Sequence, residues 1–253
     1  MTNEPPRPDS DAIERVRRPI VYRVPEMDAV RVHSNLKYAN TCEPRMLMDV
    51  YVPPTEVVHA KRAAVVMIHG GVPGPFPVKD MGTFRSWGRL IASQGMVGVA
   101  FTHRMLWPLA QLDESAKDVQ SAIDYVRANA YLFGVDADRI CIMAWSAGGL
   151  LLPAVLKDQP EYVRCVVGLY PLLNENWTAD PNTPTLIARA GQDAIPRLNE
   201  ILDRFAERAA AAGSPVTILN HPAGVHGFDV ETDDERTREI IQTTLGFIGA
   251  RTR

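Results

Sequence analysis

The sequence predicts an α/β protein with a mostly parallel central sheet and helices on both faces. Apolar runs such as Ala63–Ile68 are continuous rather than alternating, which is typical of strands buried on both faces of a parallel sheet. Segments with helical spacing of apolar residues separate these runs, and this alternation of strand and helix favours a parallel sheet with covered faces. A chain of 253 residues is long enough for one large core.

The predicted strands follow from apolar runs and from the residues that end them. Leu47–Val52 alternates and stops at two prolines, as an edge strand does. Ala63–Ile68 is a continuous apolar run, and Pro171 ends a later strand. In chain order the remaining strands are Ala63–Ile68, Met96–Phe101, Arg139–Ala144, Val163–Tyr170, Thr185–Ala190 and Val216–Asn220.

The predicted helices follow from spacing and from stop signals. Phe84–Ser93 precedes Gly95, and Glu114–Leu132 has apolar residues at helical spacing before Gly134. A further helix opens at Ser146. Pro196 suits the first turn of a helix reaching about Ala212, and the last helix is Arg236–Ile248. Only the short segment Leu172–Pro184 separates two strands where a cap could enter, so we expect no large cap domain.

Composition excludes several function classes. The net charge of −3 creates no field that attracts nucleic acid or an anionic membrane, and no run of about 18 apolar residues predicts a membrane span. Three cysteines (Cys42, Cys141 and Cys165) argue against a disulfide framework and suit a reducing compartment. The Pro-rich start has no apolar signal region, so we expect a cytoplasmic protein with a loose tail over residues 1–20 and one domain over 21–253.

The segment 144–148 (A-W-S-A-G) is a near match to G-x-S-x-G and stands between a predicted strand and a predicted helix. A sharp strand-to-helix turn of this kind lifts a serine oxygen above the sheet. The start of the helix favours negative charge that develops nearby. We therefore predict Ser146 as a nucleophile.

A serine hydroxyl needs a base, and that base needs a carboxylate to orient it. His226 follows the last strand between Gly224 and Gly227, and we favour it over His221, which lies at the end of that strand. Asp193 follows the preceding strand, and we favour it over Asp229 as the carboxylate. An alternative role for Asp193 is to cap the helix at Pro196.

Glycines after the Ala63–Ile68 strand suggest an oxyanion hole, because they let backbone N–H groups approach a developing oxyanion. We predict the amides of Gly71, Val72 and Ala147 as its donors, with His69 bracing the loop. Apolar candidates for a substrate pocket, with ordinary packing as the alternative, are Met105, Trp107, Trp145, Trp177 and Phe228.

These motifs resemble the α/β-hydrolase superfamily, and above all its small carboxylesterase, hormone-sensitive-lipase-like and acetyl- or feruloyl-esterase-like branches. The resemblance covers roughly residues 45–250 and includes LMDVYVP, VVMIHGGV, GVDADRICIMAWSAGG, LIARAGQDA and GVHGFDV. It implies the α/β-hydrolase fold and the order Ser146, Asp193, His226 for the catalytic residues. Two departures are Val72, where a third glycine is usual, and Thr102-His103-Arg104, where Asn-Tyr-Arg is usual.

The expected activity is hydrolysis of small-molecule carboxylic esters through a covalent acyl-serine, with no metal or organic cofactor. A short-loop, partly apolar site suits short or medium acyl chains. A lactonase, thioesterase, amidase or peptidase could use the same three residues, and a non-catalytic binding protein could share the fold. An exposed edge strand or the terminal helix could pair in a homodimer.

Overall fold

The computed structural model describes residues 14, 16–41, 43–54, 61–71, 76–105, 109 and 111–252. Strands in this part of the chain form one sheet. In chain order they are β1 (Arg31–Lys37), β2 (Leu47–Val52), β3 (Arg62–Ile68), β4 (Val97–Phe101), β5 (Val135–Trp145), β6 (Val163–Leu169), β7 (Thr185–Ala190) and β8 (Val216–His221).

The sheet runs in the order β1-β2-β4-β3-β5-β6-β7-β8. β2 pairs antiparallel with both β1 and β4, and every other neighbouring pair is parallel. In the centre, Val66 of β3 lies between Val99 of β4 and Ile142 of β5, and all three side chains are fully buried. The prediction of a mostly parallel sheet from continuous apolar runs is confirmed.

Helices cover both faces of the sheet. The described α-helices are α1 (Gly82–Ser93), α2 (Leu112–Ala128), α3 (Ala130–Phe133), α4 (Leu152–Val155), α5 (Leu198–Ala211), α6 (Phe228–Glu231) and α7 (Glu235–Arg251). Apolar residues of α1 and α7 share one core cluster, and those of α2 and α5 share the cluster on the opposite face. Burial of these faces against the sheet is the main favourable term in folding.

Several elements differ from the sequence prediction, three of them as follows. β1 was not predicted, because its mostly exposed residues give no apolar run. The helix predicted over 114–132 is divided at Asn129 into α2 and α3. The helix predicted to open at Ser146 begins as a 3₁₀ segment, Ser146–Leu151, before α4. Pro153 at the start of α4 has no N–H to donate to the preceding turn.

The described end of the predicted N-terminal tail contacts the domain. Ile20 is buried against α1, and its backbone N–H donates to Ser86 Oγ at 3.0 Å. Ile20 is therefore packed onto the domain, and residues 1–13 and 15 lie outside the described part of the chain.

The remaining expectations about segments concern the cap, the cysteines and membrane spans. Residues 170–184, between β6 and β7, contain turns but no helix or strand, so no large cap enters there. Cys141 and Cys165 are buried register partners on β5 and β6, and Cys42 is outside the described residues. Within the described ranges, each helix is too short or too polar to cross a membrane.

Candidate active site

Ser146 lies directly after β5, at the carboxyl end of the central strands. Its φ of 50° is in the left-handed region, which costs energy for a residue with a side chain. The turn is tight because Gly148 passes close to β3, where an added Cβ would lie 2.7 Å from two backbone oxygens. Ala144, which stands where the motif usually has glycine, is fully buried in the core. The sequence therefore forms the predicted sharp turn with alanine at its first position.

Two backbone hydrogen bonds extend the pairing of β7 and β8 beyond the ends of these strands. Gly191 N–H donates to His221 O at 2.8 Å, and Gln192 N–H donates to Gly224 O at 2.9 Å. The loops after the two strands therefore run side by side. Gly227 takes a φ of 81° at the end of the second loop, a conformation that glycine adopts without strain.

These loops bring Asp193 and His226 together beside Ser146. Asp193 Oδ2 lies 2.7 Å from His226 Nδ1, and Ser146 Oγ lies 2.8 Å from His226 Nε2. Because a carboxylate only accepts, Nδ1 carries the proton and donates it to Asp193, and Nε2 accepts from the serine hydroxyl. The Asp193 side chain is completely shielded from solvent, and the His226 side chain is 28% exposed. Asp193 therefore holds the imidazole at Nδ1, while part of the ring stays open to solvent.

The second oxygen of Asp193 explains how its carboxylate is oriented. Oδ1 accepts the backbone N–H of Ile195 at 2.9 Å, within the loop that precedes α5. The predicted alternative, a helix cap, is not the contact observed, because α5 begins only at Leu198 with no side-chain cap. Asp193 therefore uses one oxygen to fix its own loop and the other to hold the imidazole.

The two alternatives from the sequence lie elsewhere. His221 is buried, and its Nε2 lies 2.9 Å from Thr237 Oγ1 and 3.2 Å from Asp234 Oδ1. Asp229 is also buried, but its carboxylate is occupied by Trp87, Trp145 and Tyr170. The hydrogen bonds of both residues therefore go to groups other than Ser146 Oγ and His226 Nδ1.

The glycine-rich loop after β3 lies against the turn at Ser146. A Cβ added to Gly70 would lie 2.9 Å from Ser146 Cβ and 3.3 Å from the Ala147 backbone nitrogen. The loop therefore approaches one predicted oxyanion donor, Ala147, as closely as only glycine allows. Gly71 follows at the end of the described range 61–71, and the third predicted donor, Val72, is outside it.

His69 and His103 brace this loop from below. Their rings are stacked, with centroids 3.5 Å apart and planes within 4°. His103 N–H donates to His69 Nε2 at 3.1 Å, and His69 Nδ1 lies 2.6 Å from Gly70 O. Burial lowers the pKa of His69 to about 4 and that of His103 well below its ordinary value, so both rings are neutral near neutral pH.

The predicted pocket residues are mostly packed behind the site. Met105, Trp145 and Phe228 are buried in the core. Trp177 is half-buried and stacks on Phe205 of α5, with ring centroids 5.2 Å apart. Trp107 lies outside the described residues.

Tyr170 was not predicted as a site residue, although its position directly after a strand could have indicated one. It follows β6 directly, at the same sheet edge as Ser146. Its ring meets the His226 ring edge-on, with centroids 4.7 Å apart. Among the described residues, no three His, Cys, Asp or Glu side chains cluster as metal ligands.

Comparison with known proteins supports the interpretation of the fold. The BD-FAE family model matches residues 48–163. A non-reducing polyketide synthase of Aspergillus calidoustus is 25% identical over 206 residues, which are 76% of this chain and 8% of the synthase. The chain spans only a small part of the curated relatives it matches, between 7% and 26% of their lengths.

Solved structures of esterases share the fold over most of their length. An esterase from Thermogutta terrifontis, solved with butyrate bound, has a TM-score of 0.66 at 21% identity, covering 89% of this chain and 96% of its own. Esterase B from Lactobacillus rhamnosis, inhibited by a tributyrin phosphonate, has a TM-score of 0.69 at 17% identity, covering 90% and 88%. The α/β-hydrolase fold and the resemblance to esterases, both predicted from the sequence motifs, are confirmed.

Proposed function

We propose, from the α/β-hydrolase fold, that the protein is a serine hydrolase that cleaves carboxylic esters of small molecules through a covalent acyl-serine. One observation carries the proposal. Ser146 Oγ, both nitrogens of His226 and Asp193 Oδ2 form a continuous chain of hydrogen bonds of 2.8 and 2.7 Å. This is the arrangement in which a base activates a hydroxyl and a carboxylate orients the base.

In the first half-reaction, His226 Nε2 takes the proton of Ser146 as Oγ attacks the ester carbonyl. The positive charge that this creates on the imidazole faces the buried carboxylate of Asp193, which stabilises it. His226 then gives the proton to the leaving alkoxide, and the alcohol departs. In the second half-reaction, water loses a proton to the same nitrogen as its oxygen attacks the acyl-serine. The bond between the acyl carbon and Ser146 Oγ then breaks, His226 returns the proton to Oγ, and the acid is released.

The carbonyl oxygen becomes an anion in both halves and needs donors. We assign this role to the backbone amides of Ala147, Gly71 and Val72. The close approach of Gly70 to the Ala147 amide supports the assignment. A single donor of this kind contributes about 10²–10³-fold to the turnover rate.

A preference for short or medium acyl chains belongs to the same proposal. Residues 170–184 form turns and build no large cap that could enclose a long chain. Two esterases with this fold were solved with butyrate and with a tributyrin phosphonate. A cytoplasmic location and a homodimer stay predictions.

The experiment pairs covalent labelling with turnover. Wild type should react with a fluorophosphonate and hydrolyse p-nitrophenyl butyrate, and Ser146→Ala should do neither. Ser121→Ala is the matched control, because Ser121 is a half-buried serine on α2 whose hydroxyl donates to Lys117 O. Asp193→Asn and His226→Gln should lower kcat by about 10⁴-fold.

The outcomes separate the alternatives. A wild type that does not label contradicts the proposal and favours a binding protein with this fold. Labelling without ester turnover, but with cleavage of lactones, thioesters or amides in the same screen, assigns the site to that chemistry. Best turnover on long-chain esters would contradict the preference for short acyl chains.

A further inference from the structure

Asp229 is a buried carboxylate that the proposed mechanism does not use. It follows the base His226 by three residues and is fully shielded from solvent. Burial raises its pKa, although the hydrogen bonds it accepts oppose this shift. A carboxylate in such a position is costly unless neighbouring groups satisfy it, so its partners indicate what it holds in place.

Three side chains donate to Asp229, and each comes from a different element. Tyr170 OH, at the end of β6, donates to Oδ1 at 2.6 Å. Trp145 Nε1, at the end of β5, donates to Oδ2 at 3.3 Å. Trp87 Nε1, from α1, donates to Oδ2 at 2.8 Å. The carboxylate therefore joins one helix to the ends of two neighbouring strands.

Two of these donors lie next to the catalytic groups. Trp145 immediately precedes Ser146, and Tyr170 presents its ring edge to His226 at a centroid distance of 4.7 Å. On the far side, the Tyr170 ring meets Phe228 edge-on at 5.4 Å. Movement of either donor would move the nucleophile or the base.

The backbone shows why these positions need an anchor. Ser146 and Tyr170 both have positive φ, at 50° and 38°. Conformations of this kind cost energy for residues other than glycine and persist only where the surroundings hold them. The carboxylate bonds to Tyr170 itself and to the residue before Ser146.

We propose that Asp229 is the positioning residue that holds the Ser146 turn and the His226 ring in register for proton transfer, through Trp145 and Tyr170. The inference rests on the proposed function of this site. The proposed role depends on the hydrogen bonds that Asp229 accepts and not on its negative charge. The two can be separated by substitution, because both indoles donate to the same oxygen, Oδ2. In Asp229→Asn, the amide oxygen can keep both indoles, and the amide N–H can donate to the Tyr170 hydroxyl.

The test compares Asp229→Asn, Asp229→Ala and Tyr170→Phe by two measurements. The first is kcat and KM on p-nitrophenyl butyrate, together with the rate of fluorophosphonate labelling. The second is the far-downfield proton resonance of His226 Nδ1 bonded to Asp193, assigned by its loss in His226→Gln. The resonance needs no turnover, so it tests the inference even if the protein hydrolyses no ester.

We expect Asp229→Ala and Tyr170→Phe to lower kcat and labelling at least tenfold with little change in KM, and to broaden or abolish the resonance. Asp229→Asn should stay within about threefold of wild type in rate and keep the resonance. Ile241→Val, a core change on α7 in the same cluster, controls for lost stability and should leave kcat unchanged.

Two results would overturn the inference. One is a Tyr170→Phe variant that keeps both the wild-type rate and the resonance; this variant keeps the ring, so the test does not depend on whether Asp229→Ala folds. The other is an Asp229→Asn variant as impaired as Asp229→Ala. A wild type with the resonance but without labelling would instead contradict the proposed hydrolase and leave the positioning role to be decided by the resonance.

Discussion

Acidification should destabilise this protein through the stacked histidines His69 and His103. His69 and His103 are fully shielded, and each ring uses its unprotonated nitrogen to accept a backbone N–H, from His103 and Met105 respectively. Protonating that nitrogen would break the bond and bury a cation against the second ring, 3.5 Å away. The folded state therefore resists protons that the unfolded chain accepts.

The direction of the effect follows from the lowered pKa values. Between pH 6.5 and about 4, the unfolded chain binds a proton at His69 and the folded protein does not, so the free energy of unfolding falls as the pH falls. The stabilisation is fully present above pH 6.5. At about 1.4 kcal/mol per pH unit, the loss over this interval is about 3 kcal/mol for His69. His103 adds a loss of the same sign.

Other titrating groups can be separated from this effect. The pKa values of Asp136 and Asp234 are lowered by hydrogen bonds, so they contribute stability that is lost only at lower pH. Asp229 acts in the opposite direction, because its raised pKa lets the folded state take up a proton first. These carboxylates contribute equally to wild type and to a variant that changes only the histidine pair. Their contributions therefore cancel when the stability of the variant is subtracted from that of wild type at each pH.

Urea denaturation followed by tryptophan fluorescence, repeated from neutral pH to pH 4.5, measures the effect. His103→Gln keeps a donor for His69 O but cannot take up a proton, so its stability should fall less steeply than that of wild type. His33→Gln changes an exposed histidine on β1 and should keep the wild-type slope. A wild-type stability that is constant over this range, or a His103→Gln slope equal to wild type, would refute the reasoning.

Two further predictions concern packing and a buried ion pair. Gly148→Ala places a Cβ 2.7 Å from two backbone oxygens, so it should lower the free energy of unfolding by about 1–3 kcal/mol in thermal denaturation. The control Gly246→Ala adds a Cβ with no atom within 4 Å and should raise that free energy by about 0.5–1 kcal/mol. Equal effects of the two substitutions would contradict the tight turn at Gly148. Lys79 Nζ lies 3.1 Å from Asp49 Oδ1, and both side chains are nearly inaccessible to solvent. Lys79→Met should therefore lower the free energy of unfolding by about 3–5 kcal/mol, and adding Asp49→Asn should restore most of that loss. A Lys79→Met variant as stable as wild type would show that the ion pair is not needed for stability.

Much of the fold could be predicted from local signals. The strand β7, for example, has the predicted bounds, because a mostly apolar segment ends at a glycine and a polar turn. Helix α5 begins two residues later than predicted, since Pro196 precedes the first turn rather than opening it. β1 could not be found, because its residues are mostly exposed and the strand exists only through its pairing with β2.

The candidate site, like the fold, could be predicted from the sequence only in part. The order of Ser146, Asp193 and His226, each after a strand, was visible in the sequence because parallel strands bring their carboxyl ends to one sheet edge. The sequence favoured Asp193 over Asp229, but only the structure shows that the Asp193 carboxylate lies within hydrogen-bond distance of His226 Nδ1. The sequence also could not show that Asp193 accepts the backbone N–H of Ile195 in its own loop. Their catalytic roles stay a proposal until the variants are measured.

What the sequence by itself determined was the class of fold and the residue types at the strand ends, since periodicity and turn residues act over a few neighbours. Only the tertiary structure decided which polar groups meet. The pairing of His69 with His103 and the bonds from Trp87, Trp145 and Tyr170 to Asp229 join residues that are far apart in the chain. Such contacts depend on strand order and register, which place distant segments side by side and leave no local pattern in the sequence.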